Sequence, residues 1–295
     1  MIDLKVDKNK SYTIVGAGCS HTQGSAFTVF KENKLEWATK AIKDKYSTLC
    51  TSDFVTNNLT WMAKLSKHIP IHNIINLGLG GYGTTTSVRH IKEYLKSKSD
   101  ISDHIFIIQL QNVFRNEIIN KIFNPYTTID SINHFLNRKE IDAKFRQSYL
   151  DLLFNERVEE AVYLKELLFL QNIITKLGGQ VRIFFQPWYT FRIFNKKERD
   201  EIDGTFYSVD RKSFYVNEHK IKNTIENLNI ISLHSNNKEH DIGELLGRSI
   251  RPTLHNENLV PDDHHLSELG NSLVAKSIFY NINNKFEAYD EETPV

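Results

Sequence analysis

Cysteine is scarce: Cys19 and Cys50 are the two in 295 residues. That is too few for a disulfide framework or a cysteine-built zinc site, and it fits a reducing compartment. Net charge is equally slight. The 37 Lys and Arg against 36 Asp and Glu leave +1, so no broad field draws in nucleic acid or an anionic membrane. The first residues, MIDLKVDKNKSYTIVG, lack the apolar core of a signal peptide. No apolar run reaches the ~20 residues of a membrane-spanning helix. Internal repeats and Pro- or Gly-rich linkers are also missing. These absences lead us to expect a soluble, cytoplasmic protein with a single domain over 1–295. Segments near 25–55, 113–150 and 189–227 would be insertions.

With 40% hydrophobic residues the chain can bury a sizeable core. YTIVGA (12–17) predicts a buried strand, and TWMAKLSKH (60–68) predicts a helix with Trp61, Met62 and Leu65 inward, stopped by Pro70. HNIINLGLGG (72–81) predicts a strand ending in glycines, TTTSVRHIKEYLKS (84–97) a helix, and HIFIIQL (104–110) a third strand. A long helical pattern over 141–177 meets Gly178-Gly179, which can take the left-handed conformation that ends a helix. QVRIFFQ (180–186) and LNIISL (228–233) predict further strands, and 266–283 a last helix. Short apolar strands alternating with helices imply an α/β fold with a parallel sheet covered on both faces. In such a sheet the ligand site lies beyond the carboxyl ends of the strands.

The first of those loops, GCSHTQG (18–24), invites two readings. As a dinucleotide fingerprint it fails: Gly16 and Gly18 fit, but His21 stands at the third glycine position, and the next strand ends too late to supply the acidic partner. The phosphate-loop pattern lacks its lysine. As a turn presenting a nucleophile, it places Ser20 just past a buried strand, after the small residues Gly18 and Cys19. Thr22 breaks the G-x-S-x-G elbow of α/β-hydrolases. The simpler alternative is that Ser20 caps a helix. A general base is offered by PDDHHLSELGN (261–271), where Asp262 and His265 can share one loop. An acidic helix cap and a His/Asp metal cluster are the alternatives for that segment.

Taken together, these blocks resemble the SGNH, or GDSL-like, hydrolase family. GCSHTQG resembles the first block, with Ser20 as nucleophile and Cys19 in place of the usual Asp, as in GCS-type variants. NLGLGG (76–81) resembles N-x-G-x-x-G and makes Gly81 the oxyanion-hole glycine. The third block departs from G-x-N-D: Gln111 aligns with the asparagine, and a one-residue slip substitutes Asn112. Asp262, His265 and Gly270 satisfy D-x-x-H-x-x-x-x-G in one register, with Leu266 in place of the frequent proline.

The resemblance implies a flavodoxin-like three-layer α/β sandwich and ester chemistry through an acyl-enzyme. Ser20 would attack, His265 act as general base and Asp262 orient the imidazole. The Ser20 and Gly81 amides, with the side chain of Gln111 or Asn112, would hold the oxyanion. No metal or organic cofactor is required. His21 and Arg115 are candidate substrate contacts; packing beneath the loop and pairing with Glu117 are their alternatives. The expected partner is a small-molecule or saccharide ester, with an O-acetyl group as the first choice, and neither nucleic acid nor a membrane. An acyltransferase and a non-catalytic binding or assembly protein are the competing functions on the same fold.

Overall fold

The computed structural model describes residues 6–7, 9–24, 52–80, 82–111, 117–120, 128–131, 142–144, 147–148, 156–185, 223–224, 226–231, 233 and 266–283. Its centre is a parallel sheet of four strands: β1 (Tyr12–Ala17), β2 (Ile71–Asn76), β3 (His104–Leu110) and, later in the chain, β6 (Gln180–Phe185). The order across the sheet is β2-β1-β3-β6. β1 and β3 are buried along their whole length, so they read as near-continuous apolar runs rather than alternating ones. β2 is an edge strand with His72 and Asn73 exposed. Registers run Gly16↔Asn76 and Ala17↔Ile108, which brings the carboxyl ends of β1, β2 and β3 to one level. Beyond β6, Ile183 bridges Ile230 in parallel, so the strand expected over 228–233 is reduced to a short contact among the described residues.

Period-two alternation sends successive side chains to opposite faces, and each face has its own core. On one side Val15, Ala17, Phe106 and Ile108 pack under α4 (Thr84–Leu95) and α5 (Glu156–Lys176). On the other, Ile14, Ile105, Ile107 and Phe184 pack under α3 (Trp61–Leu65) and α6 (Glu268–Asn281). Trp61, Met62 and Leu65 all point inward, and the Trp61 indole meets the Phe184 ring edge-on at 5.6 Å. This is an α/β fold with helices on both faces of a parallel sheet.

Termini are set by local chemistry. Thr60 caps α3 by accepting from the Ala63 amide, and Ser267 caps α6 by accepting from the Gly270 amide at 3.1 Å. α5 stops at Gly178, whose φ of 90° is left-handed. The helix expected from 141 is continuous only from Glu156 among the described residues. Three elements were not expected. A helix α2 spans Ser52–Asn58, and an antiparallel pair, β4 (Glu117–Asn120) and β5 (Thr128–Ser131), forms a separate two-stranded sheet within the segment read as an insertion. Among the described residues no helix is long and apolar enough to cross a membrane.

Candidate active site

The chain leaves β1 through Gly18 and Cys19 and enters a one-turn helix, α1 (Ser20–Gln23). Cys19, not Ser20, holds the N-cap position, and its side chain makes no capping bond. Ser20 is the first helical residue and is 8% exposed, which corrects the reading of Ser20 as the cap. Gly24 closes the turn in the left-handed region, with its amide donating to the Ser20 carbonyl at 2.9 Å. Ser20 therefore sits in a tight strand-to-helix turn at the carboxyl end of a central strand.

Glycine 18 is required there by space. A Cβ on Gly18 would lie 2.4 Å from Thr22 Oγ1 and 2.8 Å from both Cβ and Oε1 of Gln109. The volume it leaves is filled by a buried hydrogen bond, Thr22 Oγ1 donating to Gln109 Oε1 at 2.7 Å. Cys19 Sγ lies 3.8 Å from the same oxygen.

The loop after β2 is joined to this turn. Leu77 and Leu79 amides donate to the Gly16 and Gly18 carbonyls at 2.8 and 3.0 Å, continuing the strand pairing into the site. Asn76 Nδ2 donates to the Gln23 carbonyl at 3.3 Å and to Thr56 Oγ1 at 3.2 Å, while its Oδ1 accepts from the Gly78 amide at 3.0 Å. The Gly80 amide donates to Gln23 Oε1 at 2.8 Å. Gly78 lies so close that an added Cβ would stand 2.6 Å from the Gln23 amide nitrogen. The loops carrying the first and second blocks are thus in backbone contact.

Gln111 follows β3 and is buried. Its amide donates to Thr84 Oγ1 at 3.0 Å, at the start of α4, and its Nε2 reaches the Gln109 carbonyl at 3.4 Å. Its Oε1 is buried with no hydrogen-bond partner among the described residues. His21 is buried within α1. Gly81, Asn112, Arg115, Asp262 and His265 lie outside the described residues.

The start of the helix that follows the Asp262/His265 segment is described, and it is firmly tied. Leu266 is buried against the α3 side of the sheet. Asn271 Nδ2 donates to the Leu266 and Ser267 carbonyls at 3.2 and 2.9 Å. Lys64 Nζ on α3 donates to Glu268 Oε1 at 2.8 Å.

A second polar cluster lies at the opposite, amino ends of the strands. Asp103 uses one carboxylate oxygen on His104 Nδ1 at 2.6 Å and the other on His72 Nε2 at 3.2 Å. His104 Nε2 meets Tyr94 OH at 2.9 Å, and His72 Nε2 also meets Thr13 Oγ1 at 3.1 Å. Partial burial by itself lifts the Asp103 carboxyl, but the hydrogen bond and charge of His104, a backbone amide bond and His72 outweigh it and hold it below the ordinary value. Burial, with the Asp103 charge, pushes the Tyr94 phenol up. This cluster ties β1, β2, β3 and α4 together away from the loops where a ligand site belongs. Among the described residues no group of three or more His, Cys, Asp or Glu could hold a metal ion.

The Thr22–Gln109 and Asn76–Gln23 contacts were not expected from the sequence. The signal for Gln109 was present: a polar residue inside a strand buried on both faces needs a buried partner. The chain matches no model of a known protein family and, at a significant level, no curated protein.

Proposed function

We propose that the chain is a serine esterase of the SGNH/GDSL type, acting through an acyl-enzyme. The observation that carries this reading is the contact between two loops at the carboxyl ends of β1 and β2: Gln23, three residues after Ser20, holds Asn76 through its carbonyl and Gly80 through its side chain. A serine turn and a glycine loop held together at one end of the sheet are the pair of loops from which an oxyanion hole draws its backbone amides. Strand order supports the fold part of the reading. Written in sequence order of the parallel strands, β2-β1-β3-β6 is 2-1-3-4, which agrees with the first four strands of the flavodoxin-like order 2-1-3-4-5.

In this mechanism Ser20 Oγ attacks the ester carbonyl as His265 takes its proton, with Asp262 orienting the imidazole. The tetrahedral oxyanion is held by the Ser20 and Gly81 amides and by Gln111 or Asn112. The bond from Gln111 Nε2 to the Gln109 carbonyl is at the long limit, so this donor can be exchanged for a substrate oxygen at little loss. The imidazolium then protonates the departing alcohol, and water releases the acid. An O-acetylated saccharide is the substrate class we favour.

The test is labelling with a fluorophosphonate, in which serine oxygen displaces fluoride from phosphorus, followed by peptide mass mapping. Adduct at Ser20 that vanishes in Ser20→Ala and falls sharply in His265→Ala is the expected result. No adduct on a well-folded wild-type protein overturns the reading and favours a binding or assembly role.

A further inference from the structure

Two donors that flank Ser20 and His21 in sequence converge on one buried atom. Thr22 Oγ1 donates to Gln109 Oε1 at 2.7 Å, and Cys19 Sγ approaches it at 3.8 Å. Gln109 is 2% exposed, and Thr22 and Cys19 are fully buried, so bulk water does not compete for these groups. A carboxamide oxygen has two lone pairs, and here one group from each side of the serine is directed at them. The bracket is supported from a second direction, because Gly18 provides space that a Cβ would take from both Thr22 Oγ1 and Gln109. Gln109 is itself fixed: it lies in β3, in a register that pairs Gln109 with Phe184 of β6 and the adjacent Ile108 with Ala17 of β1.

We propose that Gln109 is the positioning residue of the nucleophile turn, its side-chain oxygen setting the orientation of Ser20 by holding Thr22 and Cys19 on either side of it. This rests on the esterase reading above. It assigns a role to the polar residue in HIFIIQL that the mechanism leaves unused. It also accounts for Cys19: a small, weakly donating thiol fits against a neutral carboxamide oxygen, where a carboxylate would face it with like polarity. Gln109 does not touch the reacting atoms. It acts by denying the turn a second orientation, and displacement of a reacting group by ~1 Å is enough to cost about 100-fold in rate.

The experiment compares Thr22→Ser with Thr22→Val, and Gln109→Glu with Gln109→Met, in the full chain. Each is followed by the rate and the concentration dependence of fluorophosphonate labelling at Ser20. Thr22→Val preserves volume and removes the hydroxyl; Thr22→Ser does the reverse. The expected result is a maximal labelling rate lowered about 10- to 100-fold in Thr22→Val and Gln109→Met, with the half-saturating probe concentration unchanged. Thr22→Ser stays close to wild type, and Gln109→Glu, which keeps an acceptor, retains more activity than Gln109→Met. A valine variant that labels as well as or better than the serine variant assigns Thr22 to packing and overturns the proposal. So does a rate unchanged in Thr22→Val. Should Gln109→Met fail to fold in a thermal melt, the Thr22 pair alone decides. Wild-type protein that takes no label overturns the esterase reading, a result distinct from labelling that is indifferent to Thr22.

Discussion

Replacing Gly78 by alanine tests whether the two loops must touch for Ser20 to react. The added Cβ would stand 2.6 Å from the Gln23 amide nitrogen, 3.0 Å from the Thr22 carbonyl carbon and 3.1 Å from Asn76 Oδ1. The first two are backbone atoms, which cannot rotate away as a side chain can. Relief to an ordinary 3.4 Å contact needs an opening of about 0.8 Å between the loop after β2 and α1. That strains the bonds from Asn76 to Gln23 and from Gly80 to Gln23, already 3.3 and 2.8 Å. Overpacking of this kind costs about 1–3 kcal/mol in stability, whereas a shift of nearly 1 Å at a reacting centre costs about 100-fold in rate. Gly178→Ala is the control. It forces alanine into a left-handed conformation at φ 90°, beside Ser102 at the amino end of β3, for about 1–2 kcal/mol. Urea unfolding and fluorophosphonate labelling separate the two: both variants lose stability, and Gly78→Ala alone loses Ser20 reactivity. Wild-type labelling in Gly78→Ala, or equal loss in both variants, would refute the reasoning.

Three further perturbations concern the frame. In the Lys64–Glu268 pair the lysine side chain is 10% exposed and the glutamate 35%, so the partners are not equivalent. Glu268→Ala strands a buried ammonium and costs about 3 kcal/mol or more. Lys64→Met leaves a half-solvated carboxylate in the first turn of α6, where the helix dipole favours it, and costs under about 1 kcal/mol; urea midpoints that reverse this order would contradict the argument. Asp103 has a native pKa below its unfolded value, so the native state binds fewer protons in acid. Its contribution is complete above the unfolded carboxyl pKa and is lost as pH falls through the lowered one. Because the carboxylate is 38% exposed, screening keeps the effect under about 1 kcal/mol. Asp103→Asn should flatten the acid limb of a stability–pH curve, and an unchanged slope tells against it. Arg182 is buried, and burial pushes its guanidinium down to about 10 despite Tyr12. It donates to the Ile282 carbonyl at 2.7 Å, closing the end of α6. Arg182→Ala should cost about 2–4 kcal/mol through the orphaned carbonyl and the cavity. Arg182→Met, which refills the space without burying a charge, should cost less by denaturant titration.

What could be read from the amino acids follows burial. β1 and β3 lie in the middle of the sheet, so YTIVGA and HIFIIQL carry an apolar signal that needs no periodicity to detect. α4 was legible from its pattern, and the end of α5 from Gly178 and Gly179. The β4–β5 pair is four residues a side, with polar ends in EIIN and TIDS, too short and too mixed to rise above loop composition. In the site, Ser20 and the glycines of NLGLGG were visible because their types and order are unusual. Gln109 stood out as a polar residue in a buried strand, but its partners Thr22 and Cys19 did not, because they lie 87 and 90 residues away and only the fold brings them within reach. Gln111 was located at its strand end, but its side-chain bond to the Gln109 carbonyl depends on the local course of the chain after β3.

On the esterase reading proposed above, the positions that differ from the SGNH/GDSL pattern fall where such a site can absorb them. Gly18 and Gly78 would stand within 3 Å of a neighbour if given a Cβ. The geometry they permit is made by backbone amides and carbonyls: Leu77 to Gly16, Leu79 to Gly18, Gly80 to Gln23. Two of the residues that differ, Cys19 and Gln111, contribute side chains to positions whose backbone is held independently, Cys19 by its carbonyl bond from Gln23 and Gln111 by its amide bond to Thr84. A site whose frame is backbone tolerates new side chains as long as each finds a partner. Cys19 meets Gln109, and Gln111 retains a weakly held amide for use as a donor. On this argument Cys19→Asp is the informative reversal. It places a carboxylate against a carboxamide oxygen that already accepts from Thr22; whether the two acceptors face each other or Gln109 turns its amide nitrogen to the carboxylate and releases Thr22, Ser20 labelling should fall. Labelling of Cys19→Asp at the wild-type rate would refute the argument that the bracket on Gln109 orients Ser20.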